Sequence, residues 1–570
     1  MPKQKIDCLF IHAPKDTSGT EVSVMFMAMG IFALADYLQR NGYSSRIIHL
    51  GVEKIINRKF SIENYLKDKD IRSIGISLHW HYQSNNSINL IDKIKSTQRK
   101  IKIILGGFTA SFFADEIMKE NKNVDFIIRG DAENPLLRLM KEISKSKSDF
   151  SSIPNLTWRN NNKIIHNKHS YVATEVDINE LNFSNFKIMK NFSIYSKVPP
   201  RLSCYSKALL LEYNTFFLCV GRGCPVNCTF CGGARLSQQI INGRNKVIFR
   251  SHENVLTTIK DAVNAGINCL YVSFDPDPDR KYYIKLFELV RESKIDTSMA
   301  FECWSLPNRE FVDEFKKTFG RGKYSKLMIS PESASEKLRK LHKGFFYTNN
   351  ELVNILQYLK KREIFTEIYF SYPLPYETVR EVNSTSNFID LIKKKIGNYG
   401  SISVQYLDFD PVSPMFIYPA KYKIIKRAKS FSDYCNIKNK RKYLIKGFDK
   451  QKFDSTYKKW LKMTKADILL SQGYDYFALK RYEEAIIKAN KVIELNYKEG
   501  NVHFLLGSCY ERTKQYKKAI EELKKSEKVN PEKMQINFSL SNCYRNIGQI
   551  QRADAELDKV LLKFKRSNSK

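Results

Sequence analysis

Short apolar runs at Ile6–Ile11, Ser45–Leu50, Ile71–Ser77, Lys102–Leu105 and Phe126–Ile128 alternate with stretches of helical period such as Met29–Arg40 and Asn86–Ser96. Strand and helix recurring at this interval predict a parallel sheet with helices on both faces. The alternation returns later, with strands predicted at Cys269–Phe274, Thr297–Glu302, Lys326–Ser330, Thr366–Ser371 and Ser401–Phe409. Helices are predicted between them at His252–Ala265, Arg280–Glu292, Arg309–Phe319, Glu351–Lys361 and Val379–Lys394. Polar residues at the strand ends of this second series point to an open or closed α/β barrel, with its site at the carboxyl ends of the strands. Between the two series, Ile153–Ile165 reads as two short strands around an Asn-rich turn, and a polar connector follows through Pro199 and Pro200. Near the end of the chain the pattern changes. Tyr476, Tyr510 and Tyr544 are 34 residues apart, as are Ala485, Ala519 and Ala553, while Gly473, Gly507 and Ser541 keep the same phase, as do Tyr482 and Tyr516. Small residues repeating at that period predict stacked helix pairs.

A chain of 570 residues exceeds what one hydrophobic core organises. The expected division is a sheet domain over 1–150, a linker over 151–205, a barrel over 206–420, a basic connector over 421–465 and three repeats over 466–563. Eleven Cys, with one tight triplet and the rest scattered, do not form a disulfide framework and point to a reducing, cytoplasmic setting. The opening residues run directly into the strand-like Cys8–Ile11, so no cleavable signal is expected. Val22–Ala35 is uncharged but too short for a bilayer span and reads as a buried helix.

The formal charge of +35 suits RNA, acidic peptides or an anionic membrane face, or else reflects a solvated Lys-rich surface. The stretch 421–465 carries sixteen Lys or Arg against three Asp, interleaved with Tyr, Phe and Trp460. It reads either as a site for an acidic peptide or nucleic acid, or as a helix whose Lys stems lie along its surface.

The sharpest chemical signal is Gly221-Arg-Gly-Cys-Pro-Val-Asn-Cys-Thr-Phe-Cys-Gly-Gly, a loop leaving the apolar strand Thr215–Val220. Cys224, Cys228 and Cys231 lie among Gly, Pro, Asn and Thr, which is loop chemistry. Three thiolates on one loop ligate three irons of a cubane cluster and leave the fourth open. A structural zinc site is the rival, but it closes with four ligands and no second pair stands nearby. Buried free Cys is the third reading.

This spacing, with Phe230 just before the last Cys, resembles the radical S-adenosylmethionine (SAM) superfamily. The resemblance implies a 4Fe-4S cluster on the three Cys, with the amino acid end of SAM chelating the open iron beside Phe230. It also narrows the barrel to a six-stranded partial (β/α)6 barrel. Ser273-Phe-Asp-Pro-Asp277 then corresponds to the second strand end and Pro331-Glu-Ser-Ala-Ser335 to the fourth, making Asp275 and Glu332 the candidate SAM contacts. A helix cap or a solvated loop is the plain alternative for either carboxylate. Tyr372–Thr378 and Pro411–Met415 match the fifth and sixth strand ends.

The first domain resembles the Rossmann-like cobalamin-binding domain that precedes many radical SAM cores. Ser77 and Gly106-Gly107 lie at the spacing used there for the nucleotide tail of cobalamin, and His79 follows toward the corrin face. The Asp-x-His-x-x-Gly loop of one branch of that fold is absent, the corresponding loop being His12-Ala-Pro-Lys-Asp16. The 34-residue period resembles the tetratricopeptide repeat, an all-α superhelix whose concave face commonly binds a peptide.

Together these resemblances imply a cobalamin-dependent radical SAM methyltransferase acting on an unactivated carbon or a phosphinate phosphorus. Its substrate would be a small molecule or a peptide recruited by the repeats, and its electrons would come from a flavodoxin or ferredoxin. Two alternatives stand beside it: a radical SAM rearrangement, oxidation or cross-linking with an altered first domain, and a scaffold with a vestigial core. Methylthiolation is disfavoured, because that family carries three more Cys in its first domain and only Cys8 lies within residues 1–150.

Overall fold

The computed structural model of the chain describes residues 4–16, 26–197, 214–436, 443–446, 454–496, 500–531 and 533–568. Parts of the expected linker and connector, and the first residues of the apolar stretch from Val22, lie outside these.

Five parallel strands form the first sheet: β1 (Gln4–His12), β2 (Ser45–His49), β3 (Lys69–Ser77), β4 (Lys102–Gly106) and β5 (Phe126–Ile128), in the order β2-β1-β3-β4-β5. Their near-continuous Ile, Leu and Phe runs suit a sheet buried on both faces. The apolar stretch from Val22 resolves into a helix that starts only at Gly30 and runs to Arg40, with Ile31, Phe32, Ala35 and Leu38 buried. This strand order reverses direction between β1 and β3, and a ligand crevice opens at the carboxyl ends on either side of such a switch.

The segment read as a linker differs from expectation. Its hairpin, β6 (Leu156–Asn160) and β7 (Lys163–His166), pairs antiparallel with β5 and extends the sheet to seven strands. The apolar Leu156 and Trp158 face residues of β5 in register, so the hairpin completes a core instead of bridging domains.

The barrel opens with β8 (Thr215–Phe217); a short antiparallel pair, β9 (Gly221–Arg222) and β10 (Ile248–Phe249), follows. Next come β11 (Cys269–Val272), β12 (Ser298–Cys303), β13 (Lys326–Glu332), β14 (Phe365–Tyr372) and β15 (Gly400–Tyr406). All six main strands are parallel and lie in sequence order from β8 to β15, as an open partial barrel. Several of the connecting helices are started by a side chain that accepts the orphan N–H of the first turn: Ser251 from Asn254, Asn308 from Phe311, Ser335 from Leu338 and Thr348 from Glu351. Phe287, Phe301, Phe311, Phe315 and Phe319 pack a fully buried aromatic core between strands and helices.

The C-terminal part forms three helix pairs: Asp454–Ala478 with Tyr482–Glu494, Gly500–Arg512 with Tyr516–Val529, and Met534–Asn546 with Ile550–Asn568. Ala485, Ala519 and Ala553 are all fully buried at the helix contacts. The first pair does not stand apart from the barrel. Ala466, Leu470, Tyr474 and Phe477 share one core with Cys269, Tyr271, Ala300 and Met328, which line the barrel interior beneath the strand ends. Tyr457 and Trp460 pack against Tyr372, with Tyr457 stacked at 5.1 Å. Tyr457 and Trp460 of the basic stretch are thus consumed in a core and are not available to stack on bases. Among the described residues no helix is long and apolar enough to cross a membrane.

Candidate active site

A cavity of about 710 Å³ lies between the carboxyl ends of the first sheet and the mouth of the barrel. From the first sheet it is lined by Phe10, Ser77, His79, Gly106, Gly107 and Gly130, and from the barrel by Cys224, Cys228, Phe230, Cys231, Glu302, Glu332 and Lys343. Nine of the ten side chains singled out from sequence therefore meet in one chamber. The exception is Asp275.

The cysteine loop crosses the barrel mouth and is held from two strand ends. On one side Thr229 N–H donates to the His342 carbonyl and Gly344 N–H to the Cys228 Sγ at 3.2 Å. On the other, Gly232 N–H donates to Asp410 Oδ2 at 3.0 Å, and Asp410 N–H to the Phe230 carbonyl. Gly233 N–H reaches Cys231 Sγ at 3.3 Å. Burial raises all three thiols, Cys224 to about 11, so each must lose its proton to a metal centre as that centre assembles. The N–H donors aimed at sulfur suit thiolates holding an iron–sulfur cluster. Among the described residues no three His, Cys, Asp or Glu side chains gather tightly enough for a single ion.

Beneath the loop, Glu332 sits where β13 and β14 slip register, at φ +63°. Burial raises its carboxyl, while Lys343 and a 2.5 Å hydrogen bond from Ser371 Oγ act against that. Glu302, on β12, is raised by burial and accepts from Tyr271 Oη at 2.9 Å. Burial acts to lower Lys343, but Tyr347, Glu332, Cys228 and Glu302 outweigh it and hold the ammonium charged. Sequence reasoning missed Glu302 and Lys343. The available signals were a carboxylate closing a predicted apolar strand and a lysine a few residues beyond the Pro331–Ser335 strand end.

Asp275 is a correction. It is fully buried, pairs with Arg280 at 2.7 Å, and accepts the Trp304 N–H at 2.7 Å. Burial raises it to about 6 against the pull of Arg280. Arg280 in turn binds the carbonyls of Pro278, Ser305 and Leu306, so the pair braces the loops after β11 and β12, and Asp275 does not line the cavity.

On the opposite wall, Gly107 has φ +103°, and a Cβ there would lie 2.7 Å from the His79 backbone. Only glycine lets β4 turn so close to the end of β3. The bare backbone of Gly106 and Gly107 leaves a shallow cradle beside Ser77, with apolar walls from Phe10, Met27, Leu34, Ile104 and Ile128. A large, mostly apolar ligand carrying a polar tail fits such a cradle. His79 packs its ring 4.8 Å from Phe108 and 4.7 Å from Trp80, and burial lowers it to about 4, so it is a neutral imidazole at pH 7.

Two ionic groups bind the halves of the chamber together. Asp131 and Glu133 of the first domain take the guanidinium of Arg222 at 3.0 and 2.5 Å, and Arg244 reaches Asp131 at 2.5 Å. His81 lies 3.4 Å from Asp410 and 3.8 Å from Asp408. Burial lowers His81, but the two carboxylates win and lift it to about 9.

The B12 binding domain family matches residues 19–140, the radical SAM superfamily residues 218–389 and a tetratricopeptide repeat residues 500–533. The chain is 20% identical over 388 residues to the anaerobic magnesium-protoporphyrin IX monomethyl ester cyclase of Cereibacter sphaeroides, covering 66% of this chain and 58% of that one. Its fold is similar to that of TsrM from Kitasatospora setae, a radical SAM methyltransferase solved with cobalamin and an iron–sulfur cluster (TM-score 0.59, 12% identity, 76% of this chain and 81% of that one). It is similar also to OxsB, a cobalamin-dependent SAM radical enzyme (TM-score 0.59, 14% identity, 99% and 84%). On three successive stretches the chain thus matches a B12 binding domain, a radical SAM core and a tetratricopeptide repeat, in that order.

Proposed function

We propose that the protein is a cobalamin-dependent radical SAM methyltransferase. The observation that carries this reading is the single chamber: the three-cysteine loop and the glycine cradle face each other across it, with no protein layer between them. When bound, the cluster with SAM supplies a hydrogen-abstracting radical, and cobalamin supplies a transferable methyl group. Cys224, Cys228 and Cys231 would hold the cluster, and the Gly344 and Gly233 N–H groups donate to the Cys228 and Cys231 Sγ atoms. Glu332 and Lys343 offer opposite charges to the ammonium and carboxylate of SAM. Ser77, Gly106 and Gly107 admit the nucleotide tail of cobalamin, and neutral His79 with Trp80 packs near the corrin. Phe217, Phe230, Phe274 and Trp304 exclude water from the space between. The later repeats are left to recruit a peptide or protein.

The test is anaerobic reconstitution with iron, sulfide and cobalamin, followed by spectra and an assay for 5′-deoxyadenosine and S-adenosylhomocysteine. Both cofactors should be retained and both products formed; iron retained without cobalamin would sink the methyltransferase reading. One observation favours a second outcome: a relative named as a cyclase aligns over two thirds of this chain. Deoxyadenosine formed without S-adenosylhomocysteine would select that radical reaction without methylation.

A further inference from the structure

We infer that the surface behind the cysteine loop, around Leu341, Tyr376 and Tyr418, is the docking site of an acidic one-electron carrier protein. The inference rests on the cluster assignment above, because a cluster on this loop must be charged with an electron from outside the chain. The carrier gives up one electron and the cluster gains it; no atom is transferred.

Three observations converge on this face. The first is proximity. His342 and Gly344 touch the cysteine loop directly, through Thr229 and through the Cys228 sulfur, and Thr229 Oγ1 lies 2.9 Å from His342 Nδ1. Leu341 is the residue before that contact, and its side chain is exposed. On its other sides the loop faces the chamber, meets Asp410, or is held at Val226 and Asn227 by the N–H groups of Arg235 and Leu236, with Pro225 and Asn227 also exposed.

The second is exposed apolar surface gathered from three separate segments. His342 Nε2 lies 3.0 Å from the Pro375 carbonyl, which brings Tyr376 alongside. Tyr376 Oη donates to the Lys421 carbonyl at 2.5 Å, which brings in the turn bearing Tyr418. Leu341, Tyr376 and Tyr418 are all more than a third exposed although the strand ends beneath them are buried. A gathered apolar patch of this kind marks an interaction surface.

The third is charge. Lys340, Lys421 and Lys423 are exposed around the patch, Lys423 lying 4.8 Å over the Tyr376 ring. A small apolar contact ringed by cations suits a transient, electrostatically steered encounter with an acidic partner. That is what a redox carrier requires, since it must bind, deliver and leave.

The probe is bacterial flavodoxin, with the full-length chain reconstituted with iron and sulfide. Affinity for oxidised flavodoxin is read by surface plasmon resonance, and cluster reduction by reduced flavodoxin is read from the loss of cluster absorbance. The variant is K340E/K421E/K423E. The wild type should bind flavodoxin and bind it more weakly as salt rises; the variant should lose at least tenfold in both affinity and reduction rate, while dithionite reduces its cluster as fast as in the wild type. Unchanged flavodoxin binding in the variant would overturn the inference. So would an equal loss with dithionite, or a face whose substitution abolishes tRNA binding or self-association in place of flavodoxin binding. A chain that holds no cluster but still binds flavodoxin through these lysines would fail the parent reading and leave the docking face standing.

Discussion

His81 shows how much of the chamber depends on single side chains. It is almost fully buried, yet two carboxylates from the far side of the barrel keep it protonated. Its folded pKa of about 9 stands above the ordinary imidazole value of 6.5, so the contribution to stability is complete below pH 6.5 and is lost as pH rises through 9. The shift corresponds to on the order of 3 kcal/mol. Urea midpoints measured from pH 6.5 to 9 should therefore fall in the wild type, and H81Q should lack that part of the slope. Little of this was legible beforehand. His81 and Asp410 are 329 positions apart in sequence, and only the docking of two domains brings them together. Asp275 shows the converse: a carboxylate at the expected strand end satisfied by Arg280 five residues on, a pairing that strand-end position alone does not distinguish from a ligand contact. The cysteine triplet was legible because its spacing is local, and the structure adds the amides that point at its sulfurs.

At the scale of elements, the repeats were legible down to single positions, since a 34-residue period states which residues share a contact. Gly507 is such a position: a Cβ there would lie 2.6 Å from Leu523 Cγ and 3.2 Å from the Leu523 backbone nitrogen. Alanine gains about 1 kcal/mol of helix propensity over glycine, but overpacking a close helix contact costs about 1–3 kcal/mol, so the clash wins. G507A should lower the thermal midpoint of the helical transition by a few degrees, read by circular dichroism at 222 nm, with iron binding by the barrel unchanged. The strands were legible for a similar reason, as buried apolar runs between glycines and caps. The 156–166 hairpin was recognised as a hairpin, but its partner was not, because two short half-buried strands state their own pairing and not the sheet edge they will join.

At the scale of the whole molecule, period and composition set the repeats apart as a separate arm, whereas the structure joins their first helix to the barrel. Nothing in a 34-residue pattern reports what lies on its outer face. Tyr457 donates to Glu377 at 2.6 Å, and burial lifts that carboxyl to about 7, at the very strand end that carries Tyr372. Ending the chain at residue 453 should therefore expose Tyr271, Ala300 and Met328 and give aggregated protein in size-exclusion chromatography. Ending it at residue 532 should leave a dispersed protein that still assembles its cluster, because the shared core of barrel and first repeat is complete by Cys509.

That first helix also settles a hazard inherent in an open barrel. β8 and β15 are terminal strands, and unpaired strand backbone recruits other chains into sheets. Along β15 the helix supplies what a seventh strand would: Thr464 Oγ1 donates to the Val404 carbonyl at 2.6 Å, and Ser403 meets Asp467 at 3.4 Å. A side-chain hydroxyl thus occupies an acceptor that would otherwise template cross-chain pairing. The first helix of the repeat array, whatever the array later binds, guards the β15 edge of this half-finished sheet against pairing with another chain.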